Sequence, residues 1–210
     1  MGTRHHSINL LLGFLAGLSG LSCHPVTIHV SQASQTHPTL RGKSADELAG
    51  LFTRKAKSGP INISAMLWDR SYVDAYLGRR ATRKGWPQAL LQKKIADWVE
   101  QYLAGKTSFR IRLEILNRPL TVAGKDPLME LDAWQWRLTD SSGRTRQASL
   151  AQTDTKQMFR GTQGRYNWRV LGNVTFTGRP DASKIRWLEL IALPPGDHPP
   201  IRLPRWHVSQ

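Results

Sequence analysis

The sequence predicts a mainly β protein with N-terminal helices: an antiparallel, immunoglobulin-like β-sandwich preceded by a two- or three-helix segment. Two observations support this prediction. Apolar residues recur with a helical period within residues 44–105 and alternate with polar residues from about residue 106 onwards. Six or seven short strands follow, with closely spaced turn signals and no alternation of strands with helices, which favours an antiparallel sandwich over a parallel sheet.

The composition is that of a folded, strongly basic chain. The 210 residues include 30 Lys and Arg against 15 Asp and Glu, so the formal net charge is +15. Hydrophobic residues make up 40%, with eight Trp, which is enough to fill a core and excludes a wholly disordered chain. The single Cys excludes a disulfide framework and a Cys-based zinc site within one chain.

The first predicted helix starts at a capping box. Ser44 can accept from a first-turn N–H, and Glu47 can reach back to the Ser44 N–H. This helix is expected to end before Gly59-Pro60, because a proline biases the preceding residue away from the helical conformation. Residues 61–68 then alternate, which suits either a short strand or an extended lead-in.

Two further helices are predicted before the strands. The second covers about 70–83, with Asp69 or Ser71 as its cap. The third begins at Pro87 and ends near Gly105, since proline suits a helix first turn and glycine a left-handed C-terminal cap. Its apolar face is the clearest helical pattern in the chain and consists of Leu91, Ile95, Trp98, Val99 and Tyr102.

The predicted strands follow a period of two. The hairpin signal Asp140-Ser-Ser-Gly143 joins two of them, and the polar residues 151–164 are expected to form a loop. The predicted strands cover residues 109–115, 128–138, 144–150, 166–176, 185–192 and 201–208. Five of the eight Trp fall on apolar faces and are expected in the core, whereas Trp68 and Trp206 are candidates for a partner surface. Trp86 is expected to staple the entry to the third helix.

The N-terminus has the anatomy of a secretory signal. Residues 1–7 carry one fixed positive charge, Arg4, residues 8–22 are uncharged and mostly apolar, and Cys23 follows. The apolar run is about 15 residues, shorter than the roughly 20 needed to span a bilayer. Residues 1–22 are therefore predicted to be a signal peptide.

Residues 1–23 resemble the signal of bacterial lipoproteins, in which the cysteine becomes the lipid-modified first residue of the mature chain. That signal has Leu three places before the cysteine, whereas here Leu21 comes one place later, so ordinary cleavage near Ser22 is the alternative. The resemblance implies lipidation at Cys23. Residues 23–43 are predicted to be a tether, with a β-strand at Val26–Val30 as the alternative.

The excess of positive charge is greater in the helical half. Residues 41–118 carry a net +9 (16 basic against 7 acidic), and residues 119–210 carry +5 (13 against 8). No Lys/Arg tract exceeds two consecutive residues and no nucleic-acid-binding motif is present, so nucleic acid is not the favoured partner. The basic residues predicted to bind an anionic surface are Arg79, Arg80, Arg83, Lys84, Lys93 and Lys94.

The sequence contains no recognisable catalytic constellation. His198 and His207 are the histidines in the predicted folded body, and neither a Gly-x-Ser-x-Gly elbow nor a His-Glu-x-x-His motif occurs. The local acid cluster Asp126, Glu130 and Asp132 is expected to be a solvated strand edge. No catalytic activity, metal or cofactor is predicted.

These observations predict an exported, lipid-anchored envelope protein that faces the periplasm or the exterior and acts as a non-catalytic binding or scaffolding module. Its expected partners are a membrane, through the lipid anchor, and an anionic envelope polymer or an acidic protein. The alternatives are an envelope hydrolase that acts on glycan or peptidoglycan, and a nucleic-acid-binding protein whose N-terminus is not an export signal.

Overall fold

The computed structural model describes residues 27–28, 40, 42–118, 126–161, 165–181 and 183–208. The predicted signal peptide, Cys23 and most of the predicted tether lie outside these residues. Within the described part the protein is mainly β, with two sheets and three α-helices on the N-terminal side. The helices are α1 (Ala45–Phe52), α2 (Arg70–Lys84) and α3 (Gln88–Tyr102).

The helix boundaries follow from their capping residues. The predicted capping box of α1 is confirmed, because the Glu47 N–H donates to Ser44 Oγ at 3.3 Å and the Ser44 N–H donates to Glu47 Oε2 at 2.7 Å. Asp69 caps α2 by accepting from the Ser71 N–H at 2.8 Å. α2 ends at Gly85, whose φ of 63° is left-handed. None of the helices in the described part is long and apolar enough to cross a membrane.

The described residues form eleven strands. They are β1 (Thr27–Ile28), β2 (Thr53–Ser58), β3 (Ile61–Leu67), β4 (Lys106–Arg118), β5 (Gln135–Asp140), β6 (Thr145–Gln147), β7 (Leu150–Arg160), β8 (Tyr166–Thr177), β9 (Trp187–Leu193), β10 (Ile201–Arg202) and β11 (Trp206–Val208). One sheet has the order β2-β3-β4-β8-β7, and the other has the order β1-β11-β9-β5-β6 with β10 paired to β9. The ladders are antiparallel except for the parallel pair of β1 with β11.

Strand β4 lies at the centre of the five-stranded sheet and has two distinct faces. It pairs with β3 on one side and β8 on the other. One face is fully buried and consists of Phe109, Ile111, Leu113 and Ile115. The other face carries Arg110, Arg112 and Glu114. This alternation is the half-buried strand that the period of two predicts.

The buried faces of the two sheets share one hydrophobic core. The Phe109 ring of the five-stranded sheet lies 5.0 Å, centroid to centroid, from the Trp206 ring of the other sheet. Trp206 Nε1 donates to the Phe52 carbonyl at 2.7 Å, which joins the end of α1 to the same core. Burial of each such large side chain contributes about 1.5–3 kcal/mol.

A second, smaller cluster lies between α2 and α3. Its buried members are Trp68, Val73, Leu77, Ile95 and Leu103. Aromatic rings connect the two helices, with Tyr76 and Trp98 centroids 6.0 Å apart and Trp68 and Tyr102 stacked at 5.5 Å. Met66, from β3, contacts both clusters, so the helix pair is packed on the five-stranded sheet.

The first helix ends at Phe52, before Gly59-Pro60 as predicted, but the strand between its end and this turn is not predicted by the sequence. Residues Thr53–Ser58 instead form β2, which pairs with β3 residue by residue across a turn in which Gly59 has a φ of 53°. The ladder hydrogen bonds of this hairpin outweigh the high helix propensity of Arg, Lys and Ala, because tertiary pairing overrides differences of a few tenths of a kcal/mol per residue. The five-stranded sheet therefore crosses the predicted boundary between a helical segment 44–105 and a sandwich 106–210.

Two further expectations for secondary structure are wrong. Residues 151–164, predicted as a loop, contain most of β7, an edge strand whose side chains are largely exposed and therefore lack apolar alternation. The predicted strand 128–138 begins only at Gln135, because two short 3₁₀ turns, Pro127–Met129 and Leu131–Ala133, precede it. Asp126 caps the first of these turns through the Leu128 N–H at 3.0 Å.

Part of the predicted tether is a strand. Thr27–Ile28 pairs in parallel with His207–Val208 at the edge of the second sheet. This agrees with the alternative prediction of a strand at Val26–Val30. The rest of the segment 23–43 lies outside the described residues except at Leu40, which is buried, and residues 42–43.

Gly172 is expected to be intolerant of any side chain. A Cβ at this position of β8 would lie 2.0 Å from the Gln152 carbonyl oxygen and 2.4 Å from Leu131 Cδ1. We expect Gly172→Ala to lower the free energy of unfolding by about 2–3 kcal/mol, since backbone must move to make room. Urea denaturation measures this. The control is Gly78→Ala in α2, where a Cβ meets nothing within 4 Å, which should be neutral or stabilising by about 0.5–1 kcal/mol.

Candidate functional site

The connection between α2 and α3 brings most of the predicted basic residues together. Only three residues separate the helices, so the last turns of α2 lie beside the first turns of α3. We call the resulting surface the basic tip, which consists of Arg80, Arg83, Lys84, Trp86, Lys93 and Lys94. Arg80, Arg83, Lys84 and Lys93 are exposed, and Lys94 is half-buried.

Trp86 is the centre of the basic tip. The Arg80 guanidinium lies 5.6 Å from the Trp86 ring centroid, and the Lys94 ammonium lies 5.2 Å from it. Cations at this distance are attracted to an indole ring. Leu90, on the first turn of α3, is 36% exposed. The basic tip therefore combines positive charge with an aromatic and an aliphatic side chain, a combination typical of surfaces that contact a membrane interface.

Arg79, one of the six residues predicted to bind an anionic surface, is paired with a residue of α1. Its Nη1 lies 2.6 Å from Asp46 Oδ2, at the start of α1. The Arg79 hydrogen bond and charge hold the pKa of the Asp46 carboxyl below its ordinary value, and Asp46 raises the pKa of Arg79. The pair connects α1 to α2 and leaves Arg79 less available than its neighbours. Cys23, the predicted lipidation site, lies outside the described residues.

A second basic surface lies on the five-stranded sheet, on the side opposite the core. We call it the open strand face, which consists of Lys55, Lys57, Asn62, Ser64, Arg112, Glu114 and Arg169. The register places Lys57, Asn62, Glu114 and Arg169 in one row across four strands, and Lys55, Ser64 and Arg112 in the next row. Residues of β2, β3 and β4 line a depression of about 440 Å³ on this face.

Glu114 organises the two arginines of the open strand face. Its Oε1 accepts from Arg112 Nη2 at 2.5 Å and lies 3.1 Å from Arg169 Nη2. The hydrogen bond from Arg112 is the main reason that the pKa of Glu114 lies below its ordinary value, with Arg169 adding to the effect and partial burial opposing it. The Arg169 guanidinium also lies 4.6 Å from the Phe159 ring centroid.

A partly buried polar network attaches the helix pair to the same side of the sheet. Trp68 Nε1 donates to Asn173 Oδ1 at 3.2 Å, and Asn173 Nδ2 donates to Asp154 Oδ2 at 3.0 Å. Asp154 in turn forms an ion pair with Arg110 of β4. Asp154 lies where the register of β7 against β8 shifts, and this irregularity lets its carboxylate reach both partners. Nothing in the sequence pattern indicates this network.

Two sequence-based expectations about individual residues are wrong. Trp68 and Trp206 do not line a partner surface, because they are 7% and 0% exposed and belong to the two hydrophobic clusters. Asp126 is not a solvated strand residue, because it is 7% exposed, caps a 3₁₀ turn and forms an ion pair with Arg118. Glu130 forms an ion pair with Lys156.

The remaining candidate chemistry is dispersed. His198 lies in the loop after β9 and His207 lies on β11, and both are half-buried. Within the described ranges, no group of three or more His, Cys, Asp or Glu is placed to hold a metal ion. The two basic surfaces are the candidate functional sites among the described residues.

Comparison with known proteins assigns no family. No protein-family model matches the chain, and no curated protein matches it. One similar solved structure is that of a novel protein of unknown function from Burkholderia pseudomallei, which is 13% identical. The match covers 84% of this chain and 89% of that chain, with a TM-score of 0.41, and it carries neither a family nor an activity to this protein.

Glu114 makes stability depend on pH in a defined direction. Its folded-state pKa is lowered, so it stabilises the protein above the ordinary pKa of a glutamate, about 4.3, and this contribution is lost as pH falls through the lower folded value. We expect Glu114→Gln to lower the melting temperature at neutral pH and to flatten its dependence on pH below about 4.3. Thermal melts across pH measure this. The control is Glu100→Gln, at an exposed carboxylate on α3; an equal change there would contradict the assignment.

Proposed function

We propose that this chain is an exported, lipid-anchored envelope protein that acts as a non-catalytic binding or scaffolding module through its basic surface. The N-terminal signal pattern and Cys23 support export and lipidation. The proposal that the protein binds an anionic surface rests on one observation, the basic tip. The expected surface is an anionic membrane or an acidic partner.

The short segment after Cys23 determines how a lipid anchor would act. Thr27, which starts β1, is four residues after Cys23, and four extended residues span at most about 14 Å. A lipid on Cys23 would therefore hold the edge of the second sheet close to the bilayer. Each buried methylene contributes about 0.8 kcal/mol to such an anchor.

The basic tip would add an electrostatic contribution to membrane binding. A Lys or Arg near an anionic membrane surface contributes about 1 kcal/mol. Trp86 and Leu90 can enter the interface while the surrounding cations contact headgroups. The tip and the anchor would then act together, since stable attachment generally takes two signals.

We also propose that the two sheets form an immunoglobulin-like sandwich. The support is that they share one core and that nearly all of their ladders are antiparallel. Helices α2 and α3 would then be an insertion between the adjacent strands β3 and β4.

Lipidation is tested at Cys23. We expect cells that produce the full chain to incorporate radiolabelled palmitate into it, and the Cys23→Ala variant to carry no label, because the cysteine supplies the thiol that is acylated. Autoradiography of the purified protein measures this, and Cys23→Ser is a second variant of the same size. An unlabelled wild type would remove the anchor from the proposal.

The basic tip is tested with the full chain carrying Cys23→Ala, so that an anchor does not mask the electrostatic contribution. We expect Arg83→Gln, Lys84→Gln and Lys93→Gln together to weaken binding to phosphatidylglycerol-containing vesicles about a hundredfold, at about 1 kcal/mol for each cation. Vesicle co-sedimentation at about 0.15 M salt, where the Debye length is about 8 Å, measures the affinity.

The matched control for the basic tip removes the same charge elsewhere. It combines Lys55→Gln, Lys57→Gln and Arg112→Gln on the open strand face. We expect this control to bind vesicles within about threefold of the parent, since charges beyond a Debye length of the surface are largely screened. Equal losses in the two triple variants would mean that net charge, and not the basic tip, determines binding.

A further inference from the structure

The open strand face is a second basic surface, separate from the basic tip. It carries four cations, Lys55, Lys57, Arg112 and Arg169, against the single carboxylate of Glu114. Lys55, Lys57 and Arg112 are exposed, and they stand around the 440 Å³ depression. Excess positive charge around a recess attracts an anionic ligand.

The arginines of this surface are held in place before any ligand arrives. Glu114 accepts hydrogen bonds from both Arg112 and Arg169, so neither guanidinium has to be ordered on binding. A guanidinium has five N–H donors, and Glu114 engages only some of them. The remaining donors can bind a carboxylate or sulfate oxygen pair side by side, which is the geometry that arginine prefers.

The arrangement of the cations suits a chain and not a single ion. Lys57 on β2 and Arg169 on β8 lie in one row, three strand spacings apart, which is about 14 Å. Asn62 and Glu114 lie between them in this row, and Ser64 lies between Lys55 and Arg112 in the next. Cations therefore stand at the ends of both rows, and the amide and the hydroxyl between them can bind neutral hydroxyl groups, while the Glu114 carboxylate is engaged by the two arginines.

We propose that the open strand face binds an acidic polysaccharide, whose carboxylates or sulfates contact the cations and whose hydroxyls contact Asn62 and Ser64. A flat bilayer would not enter the depression. Phe159, the aromatic ring at the margin, is 40% exposed and has the Arg169 guanidinium over its ring, so a nucleobase would have to share this ring with the cation, unlike on the stacking platforms that bind single-stranded nucleic acid. The inference goes beyond the proposed function, and it needs neither the lipid anchor nor the basic tip.

The test measures binding of the full chain with Cys23→Ala to oligogalacturonate by calorimetry, with neutral dextran as the uncharged probe. We expect the parent to bind oligogalacturonate and not dextran. The triple variant Lys55→Gln, Lys57→Gln and Arg112→Gln should lose at least about tenfold in affinity, which corresponds to the loss of one charged hydrogen bond of about 1.4 kcal/mol. The basic-tip triple variant, which removes the same charge, should stay within about twofold of the parent.

A milder variant separates loss of binding from loss of folding. Asn62→Ala keeps every charge, and we expect it to weaken oligogalacturonate binding by about threefold, as the loss of one hydrogen bond predicts. Each variant's melting temperature shows that it is folded. Dextran sulfate replaces oligogalacturonate in a second series, which distinguishes sulfated from carboxylated chains.

Several results would overturn the inference. They are no binding of either acidic polysaccharide by the parent, equal loss in the two triple variants, and tighter binding of oligothymidylate or polyglutamate than of either polysaccharide. Failure here leaves the proposed function intact, because vesicle binding and palmitate incorporation depend on other residues.

Discussion

The structure depends on burial of one face of β4. Four consecutive alternate residues of this strand are fully buried, and they contact both sheets and, through Trp206, the end of α1. Each such side chain contributes about 1.5–3 kcal/mol, so the strand cannot shift by one residue without placing arginines in the core. Its position in turn aligns β3 and β8, which carry the rest of the five-stranded sheet.

The opposite face of β4 supplies the polar framework. Arg110 pairs with Asp154, and that carboxylate accepts from Asn173, which in turn accepts from Trp68 beneath the helix pair. Arg112, two residues further on, is bound by Glu114. Residues two apart lie on the same face of a strand. The polar face of β4 therefore supplies both the arginine that joins the network under the helix pair and the arginine and glutamate of the open strand face.

The net charge of +15 does not by itself show which cations face solvent, because many charged residues form ion pairs in the folded protein. Several acidic residues form ion pairs within the fold. Asp46, Asp126 and Asp154 each pair with an arginine. Two groups of outward-facing cations lie at the basic tip and on the open strand face, and further exposed cations lie elsewhere on the surface, such as Arg144, Arg160 and Arg186. The two proposed binding surfaces are separate, and substitutions can remove the cations of one without changing the other.

Local patterns in the sequence are sufficient to predict the mainly β class, the three helices, the capping box at Ser44 and the buried alternation of β4, because these follow from the local period and from residues three or four positions apart. The same patterns predict the basic residues of the tip, since the two helices are joined by a short connection. Long-range pairing, in contrast, makes Thr53–Ser58 a strand, forms β7 and brings Lys55, Arg112 and Arg169 onto one face. Those features depend on pairing between residues far apart in the chain, and an exposed edge strand carries no apolar period to reveal it.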